Sequence, residues 1–203
     1  DAIAEAGMKY VGLMTANTKS HLVISVGDTL EEALRAGEEV KKRGLIIPSD
    51  YGGEINLQKR ESAVADLRHL IDLCAAAGAK TVLMGGIGKP EHYDIYFGAI
   101  ADCCDYAAEK KLGLTIKPHG GLNATGPQLR KAIEKVNHKN FTVWYDAGNI
   151  IYYSDGKLNP VDDAAAVDGL VTGWCIKDYR PPKDVYVTPG AGRVDFRAVF
   201  AKL

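Results

Sequence analysis

The stretch IDLCAAAGAKTVLMGG, residues 71–86, reads as the end of a helix, a glycine that stops it, an apolar strand and a glycine-rich turn. The same grammar returns in EEVKKRGLIIPSDY (38–51) and AEKKLGLTIKPHGG (108–121), and DAIAEAGMKYVGLM (1–14) repeats it at the start. Gly7, Gly44, Gly78 and Gly113 recur roughly 35 residues apart. Each suits the left-handed position just past a helix C-terminus, where a side chain would be strained. The segments between carry helical periodicity, clearly at Val64, Leu67, Ile71 and Cys74 and more weakly at Leu30, Ala33, Leu34 and Gly37.

Two further strands follow, FTVWYDAGN (141–149) and VTGWCIKDY (171–179). Between them Asn159 and Pro160 form a cap and first helical residue. Six strands alternating with helices predict a parallel sheet, because parallel neighbours need a long crossover. A dinucleotide-binding sheet would show G-x-G-x-x-G after its first strand. YVGLMTANTKS (10–20) has no such turn, so a (β/α)₈ barrel is predicted. One domain over residues 1–203 is expected. The chain begins inside what would be a first helix and stops inside VDFRAVFAKL (194–203), so the barrel is expected to lack its first and last strands.

The net charge of −1 shows no basic excess of the kind that a phosphate backbone selects. Nucleic acid is therefore not expected as a partner. No membrane span or secretory leader is evident in the sequence. Cys74, Cys103, Cys104 and Cys175 form no CxxC pair, which predicts free thiols and a cytoplasmic protein. Cys103 and Cys104 fall within the helical FGAIADCCDYAAEK (97–110) and read as packing residues.

In a barrel the strand C-termini build the site. Those ends supply Thr15 and Asn17; Ser49, Asp50 and Tyr51; Gly85 and Gly86; Lys117 and His119; Asp146 and Asn149; Cys175, Lys177 and Asp178. Ionisable groups crowd the last three, KPHGG (117–121), DAGN (146–149) and CIKD (175–178). Lys117 and His119, two apart, project to one side, as do Cys175 and Lys177, whereas Lys177 and Asp178 face opposite ways. GGIGKP (85–90) lacks the first glycine and the hydroxyl of a phosphate loop, and Asn123-Ala-Thr125 is a short glycosylation pattern without a secretory signal. His69 and His92 have no partner at metal-ligand spacing.

The ordered set GLTIKPH, YDAGN, CIKD and PGAGRVDFRAVF resembles the xylose-isomerase-like (β/α)₈ superfamily, which includes sugar isomerases and epimerases, endonuclease IV and inosose dehydratase. The resemblance spans essentially the whole chain. It implies a site in which a divalent cation (Mn, Mg, Co or Zn) polarises neighbouring sugar oxygens while carboxylates move a proton beside a carbonyl. Residue by residue, Asp146, Gly148 and Asn149 match the sixth-strand pattern, with Asp146 at a family metal-ligand position. His119 matches the histidine of the Glu-Asn-His that ends the family's fifth strand and is a second candidate ligand, and Lys177 and Asp178 match the Lys-Asp of the seventh strand. Gly190, Gly192, Asp195 and Phe196 match the glycine-rich segment. Three positions depart: Lys117 replaces the usual proton-transferring glutamate, Cys175 a metal-binding histidine and Ala191 a glutamate.

The resemblance thus implies a sugar isomerase or epimerase with a small carbohydrate substrate, and with Lys117, His119, Asn149 and Lys177 as catalytic candidates. A 3-keto-glycoside lyase shares the same enolate chemistry, and a noncatalytic carbohydrate-binding barrel is the reading without catalysis. A three-metal nuclease is disfavoured because its ligand positions are not filled. Homo-oligomer formation is left open.

Overall fold

A computed structural model describes residues 1–14 and 24–203. Its six strands are β1 (Leu13–Met14), β2 (Asp50–Gly52), β3 (Thr81–Met84), β4 (Gly113–Ile116), β5 (Phe141–Tyr145) and β6 (Val171–Trp174). Their spatial order is their order in sequence. A doubly wound sheet would reverse direction at a switch point, so sequential order with helical crossovers is the arrangement of a (β/α)₈ barrel.

The chain forms two compact units, residues 1–84 with 94–115, and residues 85–93 with 116–203. In the first, β1, β2 and β3 pair in parallel, with Leu13 beside Asp50 and Asp50 beside Val82. The helices here are α1 (Ala2–Glu5), α2 (Leu30–Lys42), α3 (Arg60–Ala77) and nearly all of α4 (Tyr93–Glu109). Leu67, Leu70, Ile71 and Cys74 of α3 are fully buried, as are Phe97, Ile100, Cys103 and Cys104 of α4. Of the expected α3 stripe, Leu67, Ile71 and Cys74 are therefore in the core while Val64 is half-buried; the paired cysteines pack as expected, and all four cysteines are free thiols.

Two local expectations change. Gly7, Gly44 and Gly78 have φ of 75°, 70° and 85°, but Gly113 starts β4, and Lys111, at φ 60°, takes the left-handed turn instead. On α2 the buried side chains are Ala33, Ala36 and Val40, while Leu30 and Leu34 are each half exposed. The reason is close approach: a Cβ on Gly37 would lie 2.5 Å from the Ala77 carbonyl oxygen. Small residues let that helix face pack tightly, and a leucine has no room there.

The second unit carries β5, β6, α5 (Gly126–Val136), α6 (Ala147–Tyr153), α7 (Pro160–Ala164) and α8 (Phe196–Lys202). Strands β5 and β6 pair in parallel. Phe141, Val143 and Tyr145 alternate as buried residues along β5. The one proton of the Tyr145 hydroxyl is shared between the Pro160 carbonyl at 3.0 Å and Asp163 Oδ1 at 2.8 Å, and Asp163 also accepts from the Gly126 backbone N–H. One carboxylate thus ties β5 and α7 to the start of α5. Asn159 caps α7 through the Val161 N–H, as the sequence predicts. Among the described residues no helix is long and apolar enough to cross a membrane.

Candidate active site

The alternation that turns Tyr145 toward α7 turns the next residue, Asp146, to the other side of the strand. Asp146 is fully buried and caps α6, its Oδ1 accepting from the Asn149 N–H at 3.0 Å. Gly148 lets this turn form, since a Cβ there would lie 2.7 Å from the Lys177 carbonyl oxygen. Asp146 Oδ2 faces two ammoniums, Lys177 Nζ at 3.2 Å and Lys117 Nζ at 3.8 Å. Burial raises the Asp146 carboxyl above its ordinary value, and the two lysines oppose that rise only in part.

Asn149 organises the lysines. Its Nδ2 donates to the Pro118 carbonyl at 2.7 Å, and its Oδ1 accepts from Lys177 Nζ at 2.9 Å. One amide therefore joins the KPHGG, DAGN and CIKD corners. His119 is exposed, and its ring lies 5.6 Å from that of Tyr153, centroid to centroid, tilted by 59°. Partial enclosure, then the Lys117 and Lys177 charges, lower the imidazole from 6.5 to about 4. At neutral pH it is an unprotonated base. Burial, followed by the nearby Asp146 charge, pushes the Cys175 thiol up to about 11, so Cys175 remains a thiol.

The opposite orientations expected of Lys177 and Asp178 are observed. Asp178 is fully buried away from the lysines and accepts backbone N–H bonds from Tyr179, Gly190, Gly192 and Val194, at 2.7–2.9 Å. Burial disfavours its charge, but these donors outweigh it and hold the carboxyl below its usual value. The glycine-rich segment is thus a backbone cage around Asp178. A Cβ on Gly192 would sit 2.3 Å from Asp178 Oδ1. Gly192→Ala is therefore expected to destabilise the fold by about 2 kcal/mol through overpacking, read as a lowered urea midpoint.

Two contributors were hidden in the sequence. Asn123, part of the apparent glycosylation pattern, is fully buried and binds the Gly85 carbonyl at 2.6 Å, the Lys117 carbonyl at 3.2 Å and the Ile87 N–H at 2.9 Å. Gly86 permits this clamp, because a Cβ there would meet Asn123 Oδ1 at 2.0 Å. Thr125 of the same pattern is the N-cap of α5. Tyr153 lies two helical turns beyond Asp146, a spacing that was the one available signal for its place near the site.

Among the remaining strand-end residues, Asp50 is buried against Cys74 of α3, whose Sγ donates to its Oδ2 at 3.3 Å. It takes the helix-facing side of the sheet. Thr15 and Asn17 lie outside the described residues. His69 Nε2 bonds the Asp28 carbonyl at 2.9 Å, a helix-to-loop tie, and His92 ends a short 3₁₀ turn.

The donor set around Asp146 does not suit the divalent cation that the resemblance implies. Among the described residues no three His, Cys, Asp or Glu side chains come together in a way that could hold a metal ion. Two ammoniums approach the inner oxygen of Asp146, where they would repel a cation, and Cys175 is not a thiolate. Asp146 and His119 with their present neighbours therefore do not fit the ion.

The fold is shared with solved structures at low identity. A xylose isomerase-like TIM barrel protein from Mycobacterium smegmatis, solved in complex with magnesium, matches with a TM-score of 0.78 at 18% identity, over 98% of this chain and 74% of that one. A xylose isomerase domain protein from Planctomyces limnophilus gives 0.74 at 19% identity, over 99% of this chain and 79% of that one. A D-tagatose 3-epimerase-like protein gives 0.75 at 16%, over 100% and 79%. No curated protein sequence matches significantly. The family model described as xylose isomerase-like TIM barrel matches residues 1–203, and with the sequential parallel strands and the DAGN and CIKD corners in place, the chain belongs to that family.

Proposed function

We propose that the chain catalyses proton transfer beside the carbonyl of a small carbohydrate, the reaction of a sugar isomerase or epimerase. We further propose that its own ammonium groups take the electrostatic role assigned to a cation in the sequence resemblance. The observation that carries this reading is the convergence of Lys117 and Lys177 on Asp146 beside an unprotonated His119. Support comes from the family and from a structural neighbour described as D-tagatose 3-epimerase-like.

In this reading His119 removes the proton from the carbon next to the carbonyl, and the electron pair moves onto the carbonyl oxygen. Lys117, the more deeply buried of the two lysines, donates an N–H to that developing oxyanion. Return of the proton from His119 to the former carbonyl carbon, with the hydroxyl proton of the first carbon passing to the former carbonyl oxygen, completes an isomerisation; return to the opposite face of the first carbon gives an epimer and needs a second acid. Asp146 holds the ammoniums, and Asn149 sets the direction of Lys177.

The test is solvent exchange: the protein is incubated with ketoses and aldoses in D₂O, and loss of the C–H signal beside the carbonyl is followed by NMR. Exchange is expected to slow about 100-fold in His119→Gln. Because the imidazole becomes protonated only near pH 4, the rate should hold from neutral pH down to about that value and fall below it. An acid limb near 6.5, or exchange indifferent to His119→Gln, would remove His119 as the base. Dialysis against a chelator is expected to leave the rate unchanged, since the donor set does not fit a cation. Sugar binding with no exchange under any condition would instead make the chain a carbohydrate-binding barrel.

A further inference from the structure

We propose that the chain pairs with a second copy of itself through the outer face of α2, in an antiparallel contact about a two-fold axis. The proposal does not rest on the proton-transfer reading, because every residue it uses belongs to the first compact unit. A groove of about 420 Å³ lies between α2, the C-terminal end of α3 and the segment that enters β2. Leu45 and Ile47 are buried at its base, while Leu34 and Ile46, on its border, are 50% and 48% exposed. Tyr10, 60% exposed, is bridged to Ile46 and extends the same apolar surface. Leu34 finds no cover within its own chain, because α2 already meets α3 through Gly37 and the Ala77 backbone. Apolar side chains scattered singly over a surface are ordinary, but three from separate segments converging beside a groove mark a contact surface.

The charges beside the groove choose the partner. Glu38 and Lys41 both line it, one helical turn apart on α2. The charges next to them are satisfied within the chain, since Glu39 pairs with Lys42 at 2.9 Å and with Arg43 at 2.7 Å. Among the described residues neither Glu38 nor Lys41 has an ion pair. A two-fold axis through that turn runs α2 antiparallel to its copy and sets Glu38 of each opposite Lys41 of the other, so both pairs form together. The same crossing brings Leu34 of one copy toward Ile46 of the other on both sides of the axis, covering the two exposed apolar groups. Lys80, the further charge on the lining, stands past the end of α3, away from the α2 crossing. A uniformly acidic or basic partner would match one of the two α2 charges and oppose the other, whereas a second copy matches both.

Sedimentation equilibrium of the full chain tests this, and the unsubstituted protein is expected to dimerise with a dissociation constant of about 10 μM. Glu38→Lys and Lys41→Glu each set like charges opposite one another in both pairs, and each should weaken association at least about 100-fold. Mixed together, these two single variants should form a heterodimer, because every facing pair is then opposite in sign again. The double variant Glu38→Lys with Lys41→Glu should dimerise alone for the same reason. Leu34→Glu should also abolish the dimer, since it puts a charge where the apolar contact forms. All four substitutions are on exposed positions, and urea unfolding confirms that each variant folds. A chain still monomeric at about 100 μM would overturn the proposal and leave the groove to another partner. So would a dimer indifferent to the single charge reversals or to Leu34→Glu, or a mixture of the two reversals that stays monomeric.

Discussion

Replacing Asp146 with alanine is expected to cost about 4 kcal/mol of stability and to reduce carbonyl-linked proton exchange at least about 100-fold. Two contributions add on the stability side. Removing the carboxylate leaves Lys117 and Lys177 facing each other without the oxygen they share, and breaking a buried pair in this way typically costs about 3–5 kcal/mol. It also removes the N-cap of α6, worth about 1 kcal/mol. Asp146→Asn separates them, because an asparagine side chain still caps the helix but carries no charge; its loss should be smaller by about the value of the cap. A triple replacement, Lys117→Met with Asp146→Leu and Lys177→Met, removes every charge of this cluster. It is expected to be near neutral or stabilising by about 1 kcal/mol or more, because the desolvation of buried ions often exceeds their attraction. The raised Asp146 carboxyl already shows burial outweighing the lysines. Urea unfolding of the four proteins beside their exchange rates would check this. A triple variant as unstable as Asp146→Ala would mean that the charged cluster holds the fold together, and the argument for a functional site would lose its main support.

Why these groups were legible in the sequence, and their arrangement was not, follows from what period-two alternation encodes. It states which side of a strand a residue takes, so the divergence of Lys177 and Asp178 and the common side of Cys175 and Lys177 could be read from spacing. It carries no distance between corners. The meeting of Lys117 and Lys177 on one Asp146 oxygen depends on Asn149 reaching the Pro118 carbonyl, a contact across 31 residues. Asn123 was illegible for the same reason, since its three backbone partners lie on two separate loops. On α2 the apolar stripe misled because close backbone packing selected alanine and glycine over leucine. At Gly113 the glycine pattern misled because a non-glycine residue, Lys111, accepted the left-handed turn two positions earlier.

Asp50→Asn is expected to stabilise the protein by up to about 4 kcal/mol at pH 8 and by nearly nothing at pH 4. Asp50 sits on β2 with its carboxyl fully buried. Among the described residues its Oδ1 has no hydrogen-bond partner, and its Oδ2 receives only the weak Cys74 S–H. Burial pushes the carboxyl up to about 7; the Cys74 bond opposes the shift slightly, and the Asp28 charge adds to it. An unfolded aspartate ionises near about 3.9. Between that value and about 7 the unfolded chain has released the proton while the folded chain still holds it. Folding is then favoured less with each step up in pH, by about 1.4 kcal/mol per unit, and the loss levels off above pH 7, where both states are ionised. Below about pH 4 both are protonated and the full stability is present. Asparagine is neutral throughout, so it removes the slope instead of shifting the whole curve. The part of the gain that an amide forfeits to its own unmet hydrogen bonds is independent of pH in this range, which makes the difference between pH 8 and pH 4 the diagnostic quantity. Urea unfolding of both proteins across that range should therefore converge at the acid end. A gain of equal size at both ends would show that the substitution acts through packing beside Cys74 and that the buried carboxyl is not what the fold resists.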